Sequence, residues 1–404
     1  MKVAVIGGGA SGLISAGFCA MKGNAVDLYE ANEKLGKKLY ITGKGRCNVT
    51  NYSNPNEILE NVVNNSKFLY SSLYNFTSFD VVEFFENLGT KIKIERGNRA
   101  FPESDKSSDI IKALERFAKI NGVNILLNSK IKNISKNDDL FHITTTGGVY
   151  KTYDATIICT GGKTYSATGS TGDGYTFAKN FGHNIIDIKP ALVPIILNDS
   201  FVKQLEGLSL KNVTLKAKSK NFQKELFGEM LFTSNGISGP IALSLSSYIN
   251  RKQCIELSID FKPALTEEKL KARIIRDIED SKESQISTLI CGLLPKSLAN
   301  VFVECLHIDK TRRNKTLNTK EIDLVVNNLK NFTLSYKCLD KLDFGIITSG
   351  GVDVKEINPK TMESKLVKNL YFAGEVIDVD ALTGGFNLQI AFSTGYTAGN
   401  SVGV

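Results

Sequence analysis

The chain opens on a short run of apolar, β-branched residues, Lys2-Val3-Ala4-Val5-Ile6, which predicts a buried strand. Glycines follow at once in Gly7-Gly8-Gly9-Ala10-Ser11-Gly12, and then the apolar stretch Leu13-Ile14-Ser15-Ala16-Gly17-Phe18-Cys19-Ala20 predicts a helix. A second apolar run, Ala25-Val26-Asp27-Leu28-Tyr29, ends at Glu30. The pattern predicts a strand, a glycine turn, a helix and a second strand with an acid at its tip.

Further along, residues 56–90 carry apolar positions at helical spacing. Residues 91–101 read as an extended pair around the turn Arg96-Gly97-Asn98-Arg99, and 107–120 as a helix capped by Ser107 or Ser108. A short strand at 123–127 precedes three strands, 130–135, 141–146 and 149–153, of an antiparallel crossover with a Gly147-Gly148 hairpin turn. A second buried strand follows Asp154 and ends at Gly161-Gly162. The pattern turns strand-rich over 191–263 and helical over 264–335. It then returns to buried strands and to Gly384-Gly385, which opens a helix of small residues at 390–400. This predicts an α/β domain from 1–190 and 336–404. A β domain (191–263, with a strand near 336–345) and a helical cap (264–335) are inserted into it.

Composition narrows the class. The 404 residues allow two or three domains, and 42% hydrophobic with 23% charged content is ordinary for a soluble globular chain. No window is long and apolar enough for a membrane helix, and the first strand begins at residue 2 without a signal segment. Seven scattered cysteines without a C-x-x-C suit a reducing cytoplasm. Three distant histidines argue against a zinc site or a histidine-based triad. The net charge is +8, and 191–345 holds 23 Lys+Arg against 18 Asp+Glu, a difference of +5. That permits an anionic partner such as RNA on the inserted domains, with Lys216, Lys218 and Lys220 sharing one strand face. Lysines protecting a solvated edge strand are the commoner outcome.

The opening motif carries chemistry. Gly7 allows the sharp turn, Gly9 a close approach of backbone to a pyrophosphate, and Gly12 tight packing of helix on sheet. The N–H groups at Ala10 and Ser11 add an anion site, and Glu30 stands where a ribose acceptor belongs. This fits FAD or NAD alike. Lys38 offers a cation to phosphate oxygens, and Gly161 allows a ligand close to the sheet edge. The loop Gly43-Lys44-Gly45-Arg46-Cys47-Asn48 can wrap a polar ring, although the same composition also makes a surface turn. The second glycine-gated helix start, at Gly384-Gly385, suits the far end of a long cofactor, where negative charge on a flavin would meet N–H groups.

Three segments together resemble the BaiN/YhiN flavoprotein family over essentially the whole length. They are Gly43–Asn48, Phe232-Thr233 with Gly236-Ile237-Ser238-Gly239-Pro240, and Ala373-Gly374-Glu375 with Asp378-Val379-Asp380 and Gly384-Gly385-Phe386-Asn387-Leu388-Gln389. The resemblance implies a glutathione-reductase-like FAD-binding Rossmann domain with a β-barrel-like and a helical domain. It places Gly7, Gly9, Ser11 and Gly12 at the pyrophosphate and Glu30 at the adenosine ribose. Gly43, Gly45, Arg46, Asn48, Gly374, Glu375, Gly385, Phe386, Asn387 and Leu388 then surround the ribityl chain and isoalloxazine. Glu375 stands where many relatives of this fold carry Asp. No second G-x-G-x-x-G occurs, so NADH or NADPH would visit the flavin directly as a transient reductant.

The activities that the resemblance implies share one chemistry: hydride from flavin N5 to a C=C conjugated to a carbonyl, and a proton to the neighbouring carbon. The favoured substrate is uridine in large-subunit ribosomal RNA, reduced to dihydrouridine. The alternatives are an unsaturated 3-oxo steroid or bile acid, an amine, or a non-enzymatic flavin- or RNA-binding role. Cys47 is the candidate general acid, with Arg46 adjusting its pKa. A cysteine that merely packs on the cofactor is the competing reading. Lys163 and Tyr165 are weaker candidates.

Overall fold

The structure, a computed structural model, describes residues 1–403. The chain divides into two compact units, 1–191 with 342 onward, and 192–341.

The first unit is built on five parallel strands. Their order is Leu370–Phe372, Ala155–Ile158, β1 (Lys2–Ile6), β2 (Ala25–Tyr29) and Asn124–Leu126. Val5 is paired with Leu28 on one side and Ile157 on the other. All three side chains are fully buried, as expected of a strand covered on both faces. Helix α1 (Ala10–Met21) covers the sheet, and the C-terminal helix Phe386–Ser401 lies along α1. Small residues make that approach possible. Ser15 Oγ donates to the Gly395 carbonyl at 3.0 Å, and a Cβ on Gly399 would stand 2.5 Å from the Ser15 carbonyl oxygen. Ser11 faces Gly395 and Ser15 faces Gly399, so the two helices run parallel.

The helix Ser107–Ile120 forms over the predicted span, but Lys106 is its N-cap and Ser107 is not. Ser107 Oγ instead donates to the Tyr40 carbonyl at 2.7 Å, tying the helix to the short helix Lys37–Ile41 that follows β2. The three crossover strands are Ile131–Asn137, Leu140–Thr145 and Tyr150–Tyr153. A small antiparallel sheet joins Thr50–Asn51 to the hairpin of Ile92–Glu95 and Arg99–Pro102.

The second unit holds a seven-stranded antiparallel sheet. Its two edge strands, Phe332–Leu334 and Tyr336–Leu339, are consecutive in the chain and separated only by Ser335. The sheet must therefore curl until its edges meet at that residue, which gives the barrel-like form. The Asp199 carboxylate fastens the junction, accepting from Ser335 N–H at 2.7 Å and Ser335 Oγ at 2.8 Å. The helices Glu267–Asp280 and Thr319–Lys330 are packed into the same core as the sheet, with Leu270, Ile274 and Leu329 against Leu215 and Ile259. The β-rich and helical segments, read from sequence as two domains, thus share one core. Their helices bury an apolar face that would otherwise be exposed. No helix among the described residues is long and apolar enough to cross a membrane.

Candidate functional site

The first intrahelical bond of α1 is Leu13 N–H to the Gly9 carbonyl, at 3.0 Å. The N–H groups of Ala10, Ser11 and Gly12 precede it and have no intrahelical partner. A Cβ on Gly12 would lie 1.8 Å from the Gly7 oxygen, whereas one on Gly9 would meet nothing within 4 Å. Gly12 is therefore glycine for packing, and Gly9 presents bare backbone to open space. Glu30 is buried at the tip of β2. Its Oε2 accepts from Gly8 N–H at 2.8 Å. Its Oε1 accepts from Asn32 N–H at 2.8 Å and Asn32 Nδ2 at 2.6 Å. The turn and the acid are thereby fixed to one another.

A second carboxylate lies further along the same sheet edge. Glu375 accepts from Lys38 Nζ at 2.7 Å and from Thr348 N–H at 2.8 Å, and Lys38 also donates to Thr164 Oγ1 at 2.9 Å. Glu375 follows Gly374, whose φ of 78° lies in the left-handed region. Gly161, at φ 71°, lies just past the neighbouring strand Ala155–Ile158. Lys38 thus pairs with a carboxylate, where sequence reading had assigned it to phosphate oxygens.

The third part is the start of the C-terminal helix. Its N-cap is Gly385, at φ 97°, and a Cβ there would stand 2.4 Å from the Thr50 carbonyl carbon. Gln389 N–H to the Gly385 carbonyl is the first intrahelical bond. Phe386, Asn387 and Leu388 therefore offer their N–H groups outward. The Asn387 side chain is spent elsewhere: it accepts from Ala381 N–H at 2.9 Å and donates to the Ala381 carbonyl at 2.8 Å.

In the 43–48 loop, Asn48 Oδ1 is buried without a hydrogen-bond partner. Cys47 is fully enclosed, with φ 60°, and burial pushes its thiol up to about 12. Arg46 turns away from it. Its guanidinium binds Glu95 at 2.5 Å and Asp105 at 2.6 Å and lies 4.1 Å over the Phe101 ring. Burial and a bond with Thr42 govern the thiol, and Arg46 does not enter. Lys163 is exposed, and Tyr165 lies in a left-handed turn.

Two parallel helices therefore present unspent N–H groups in one direction. Gly395 lies nine residues into the C-terminal helix and faces Ser11, one residue into α1. Nine less one, at 1.5 Å each, sets the two N-termini about 12 Å apart along the shared direction. An anion site at one end, a buried acid beside it, and a second donor cluster with an orphaned amide oxygen fit a dinucleotide whose two ends both carry acceptors. FAD meets that description: a pyrophosphate at Ala10–Gly12, an adenosine ribose at Glu30, and a ring with carbonyl and N–H edges at Asn48 and Phe386–Leu388.

Sequence reading missed Asn32, Thr164, Thr348, Asn51 and Gln389. Thr50 Oγ1 donates to Gln389 Oε1 at 2.6 Å, across 339 residues of chain. Asn51 Nδ2 donates to both the Gly97 and Gly384 carbonyls, at 3.0 and 3.1 Å. The polar pair Thr50-Asn51, one residue beyond the 43–48 loop, was the available signal. Elsewhere in the unit, Ser364, His183 and Glu356 line up as in a hydrolase triad, at 2.8 and 3.1 Å. Ser364 Oγ also accepts from the N–H groups of Leu366 and Val367, and it is buried. An oxygen so occupied is a clasp, not a nucleophile.

The chain matches the family model described as the HI0933-like protein Rossmann domain over residues 1–401, and it belongs to that family. It is 29% identical over 407 residues to a ribosomal RNA dihydrouridine synthase of Haemophilus influenzae, covering 98% of this chain and 97% of that protein. It is 28% identical over 406 residues to a 3-dehydro-bile acid delta(4,6)-reductase of Clostridium scindens, covering 99% and 98%. Among solved structures it resembles a 3-ketosteroid-delta4-(5alpha)-dehydrogenase from Rhodococcus jostii RHA1. The TM-score is 0.52 at 13% identity, over 99% of this chain and 96% of that one, a likeness of fold. The family is one of FAD-dependent oxidoreductases.

Proposed function

We propose that this protein reduces a carbon–carbon double bond conjugated to a carbonyl, and that its substrate is uridine in large-subunit ribosomal RNA. NADH or NADPH serves as the reductant. FAD, when bound, supplies a hydride to the β-carbon of such a bond, and a proton then completes the neighbouring carbon. The chain's own residues hold the cofactor and bias its charge. Phe386–Leu388 N–H groups and the helix dipole behind them favour negative charge at that end. Glu375, braced by Lys38 and Thr348, is a fixed acceptor for a hydroxyl of the cofactor's chain. Asn48 Oδ1 is an acceptor already stripped of water, so a ring N–H that meets it gains a bond at no desolvation cost to the amide.

The observation that carries this reading is the full-length match to two reductases whose names describe saturation chemistry on unlike substrates. An RNA uridine and a 3-oxo steroid both present a C=C conjugated to a carbonyl, so one donor arrangement serves either. The RNA reading is preferred because two relatives that match end to end, at 29% and 26% identity, carry the ribosomal RNA name and the net charge is +8. Deletion of the gene, with dihydrouridine measured in large-subunit ribosomal RNA by mass spectrometry, tests it. Loss of one dihydrouridine supports the reading. An unchanged content, with no other gene covering the position, contradicts it.

A further inference from the structure

Several cations of the inserted unit are paired within it. Arg312 pairs with Glu321, Arg313 and Lys315 with Glu283, Lys271 with Asp323 and Lys330 with Asp260. Lys216 Nζ donates to the Asn331 side chain at 2.9 Å, and Lys218 stands opposite Glu256 in the sheet register. A different surface, in the first unit, keeps its cations.

That surface is the tip of the 92–102 hairpin. Arg96, Asn98 and Arg99 are exposed there. The nearby acids are already neutralised, since Glu95 and Asp105 are held by Arg46 and Asp105 also by Lys93 at 2.7 Å. No ion pair engages Arg96 or Arg99 among the described residues. Two aromatic rings stand beside the tip. Tyr52 N–H donates to the Asn98 carbonyl at 2.6 Å, which fixes Tyr52 to the turn. Its ring meets Phe79 edge to face at 4.8 Å, yet Tyr52 stays 39% and Phe79 43% exposed. Large rings at that exposure, among unpaired cations, lose nothing by accepting a flat anionic partner.

The tip is also locked to the proposed flavin end. One side chain, Asn51, donates to the carbonyls of Gly97 in the turn and of Gly384 at the start of the C-terminal helix. A strand of nucleotides lying on the tip would thus pass beside the turn that carries Phe386–Leu388.

We propose that this surface, Arg96 and Arg99 with Tyr52 and Phe79, binds single-stranded RNA. The cations contact phosphates and the rings stack on unpaired bases next to the target nucleotide. The inference rests on the RNA reading above, and it moves the RNA contact from the inserted unit to the flavin-binding unit.

The test uses the full-length flavoprotein and a fluorescently labelled single-stranded RNA of mixed sequence, with anisotropy followed across a salt series. R96E/R99E is expected to weaken binding at least tenfold and to lower the salt slope by about 1.4. Y52A/F79A should weaken binding about tenfold with the salt slope unchanged. K216E/K218E in the inserted unit should change it less than about threefold. Flavin content and melting temperature, unchanged in R96E/R99E, establish that the fold is intact. Wild-type affinity in both hairpin variants, or loss confined to K216E/K218E, overturns the surface. Dihydrouridine in ribosomal RNA from cells carrying each variant separates the two ideas. Wild-type levels with the hairpin variants reject the surface and leave the RNA reading standing. Weakened RNA binding without dihydrouridine in any strain, wild type included, supports the surface and rejects uridine reduction.

Discussion

Ser11 and Gly374 compete for the same space: a Cβ on Gly374 would stand 2.5 Å from Ser11 Oγ. Ser11 belongs to the first turn of α1, and Gly374 lies at the end of a strand more than 360 residues later. The contact joins the first glycine turn to the Gly-Glu that precedes the second.

Gly374→Ala should therefore lose flavin and stability together. The φ of 78° alone costs an alanine about 1 kcal/mol, and the crowded Ser11 adds to it. Visible flavin absorbance per protein and the melting temperature report the two losses. Ser11→Ala in the same chain should recover only part of the stability, because the backbone strain remains.

Glu375→Gln should weaken FAD binding about tenfold, since it replaces a charged acceptor by a neutral one and breaks the pair with Lys38. Lys38→Met should weaken it less, because Thr348 N–H still holds the carboxylate. Equilibrium titration of the apoprotein with FAD measures both. Equal affinity in all three proteins would remove Glu375 from the cofactor's contacts.

Cys47→Ala should keep its flavin and retain turnover within about threefold, because an enclosed thiol reaches no substrate. Native protein should also resist thiol reagents at Cys47, whose thiol burial pushes up to about 12. A loss of about a hundredfold in product formation, with flavin reduction by NAD(P)H unaffected, would instead establish Cys47 as the acid.

His183 makes stability depend on pH. Burial pulls its imidazole below the ordinary 6.5, against the opposing pull of Glu356. The unfolded chain thus takes up a proton that the folded chain resists. The stability that His183 contributes is present above 6.5 and is lost as pH falls below it. The fall in melting temperature between about pH 7.5 and 5.5 should shrink in His183→Gln, whatever its absolute stability. An equal fall in both proteins would contradict this.

The local elements were legible because their signals are local. The β-branched run at Val3–Ile6 and the glycines at 7–12 define β1 and the start of α1 without help from elsewhere. Likewise Arg96-Gly97-Asn98-Arg99 marks its own hairpin. Positions of donors along a sheet edge were not legible. Thr164 and Thr348 reach Lys38 and Glu375 only after the strands are placed side by side, and Asn51 meets Gly384 across 333 residues. Ser107 looked like an N-cap because serine commonly is one, yet its hydroxyl is claimed by the Tyr40 carbonyl. The charge counted over 191–345 permitted an anionic partner there, but Glu283 and Glu321, distant in sequence, hold Arg312, Arg313 and Lys315. Charge counted along a chain does not show which charges are paired.

In the proposed reaction, a flavin held between the two glycine-gated helix starts reduces uridine in RNA. The most direct measurement of that reaction mixes the anaerobically reduced flavoprotein with ribosomal RNA from the deletion strain and follows flavin reoxidation beside dihydrouridine formed. Reoxidation is expected, with one dihydrouridine made per flavin. Flavin that stays reduced with this RNA, but is reoxidised by an unsaturated 3-oxo steroid, would contradict it.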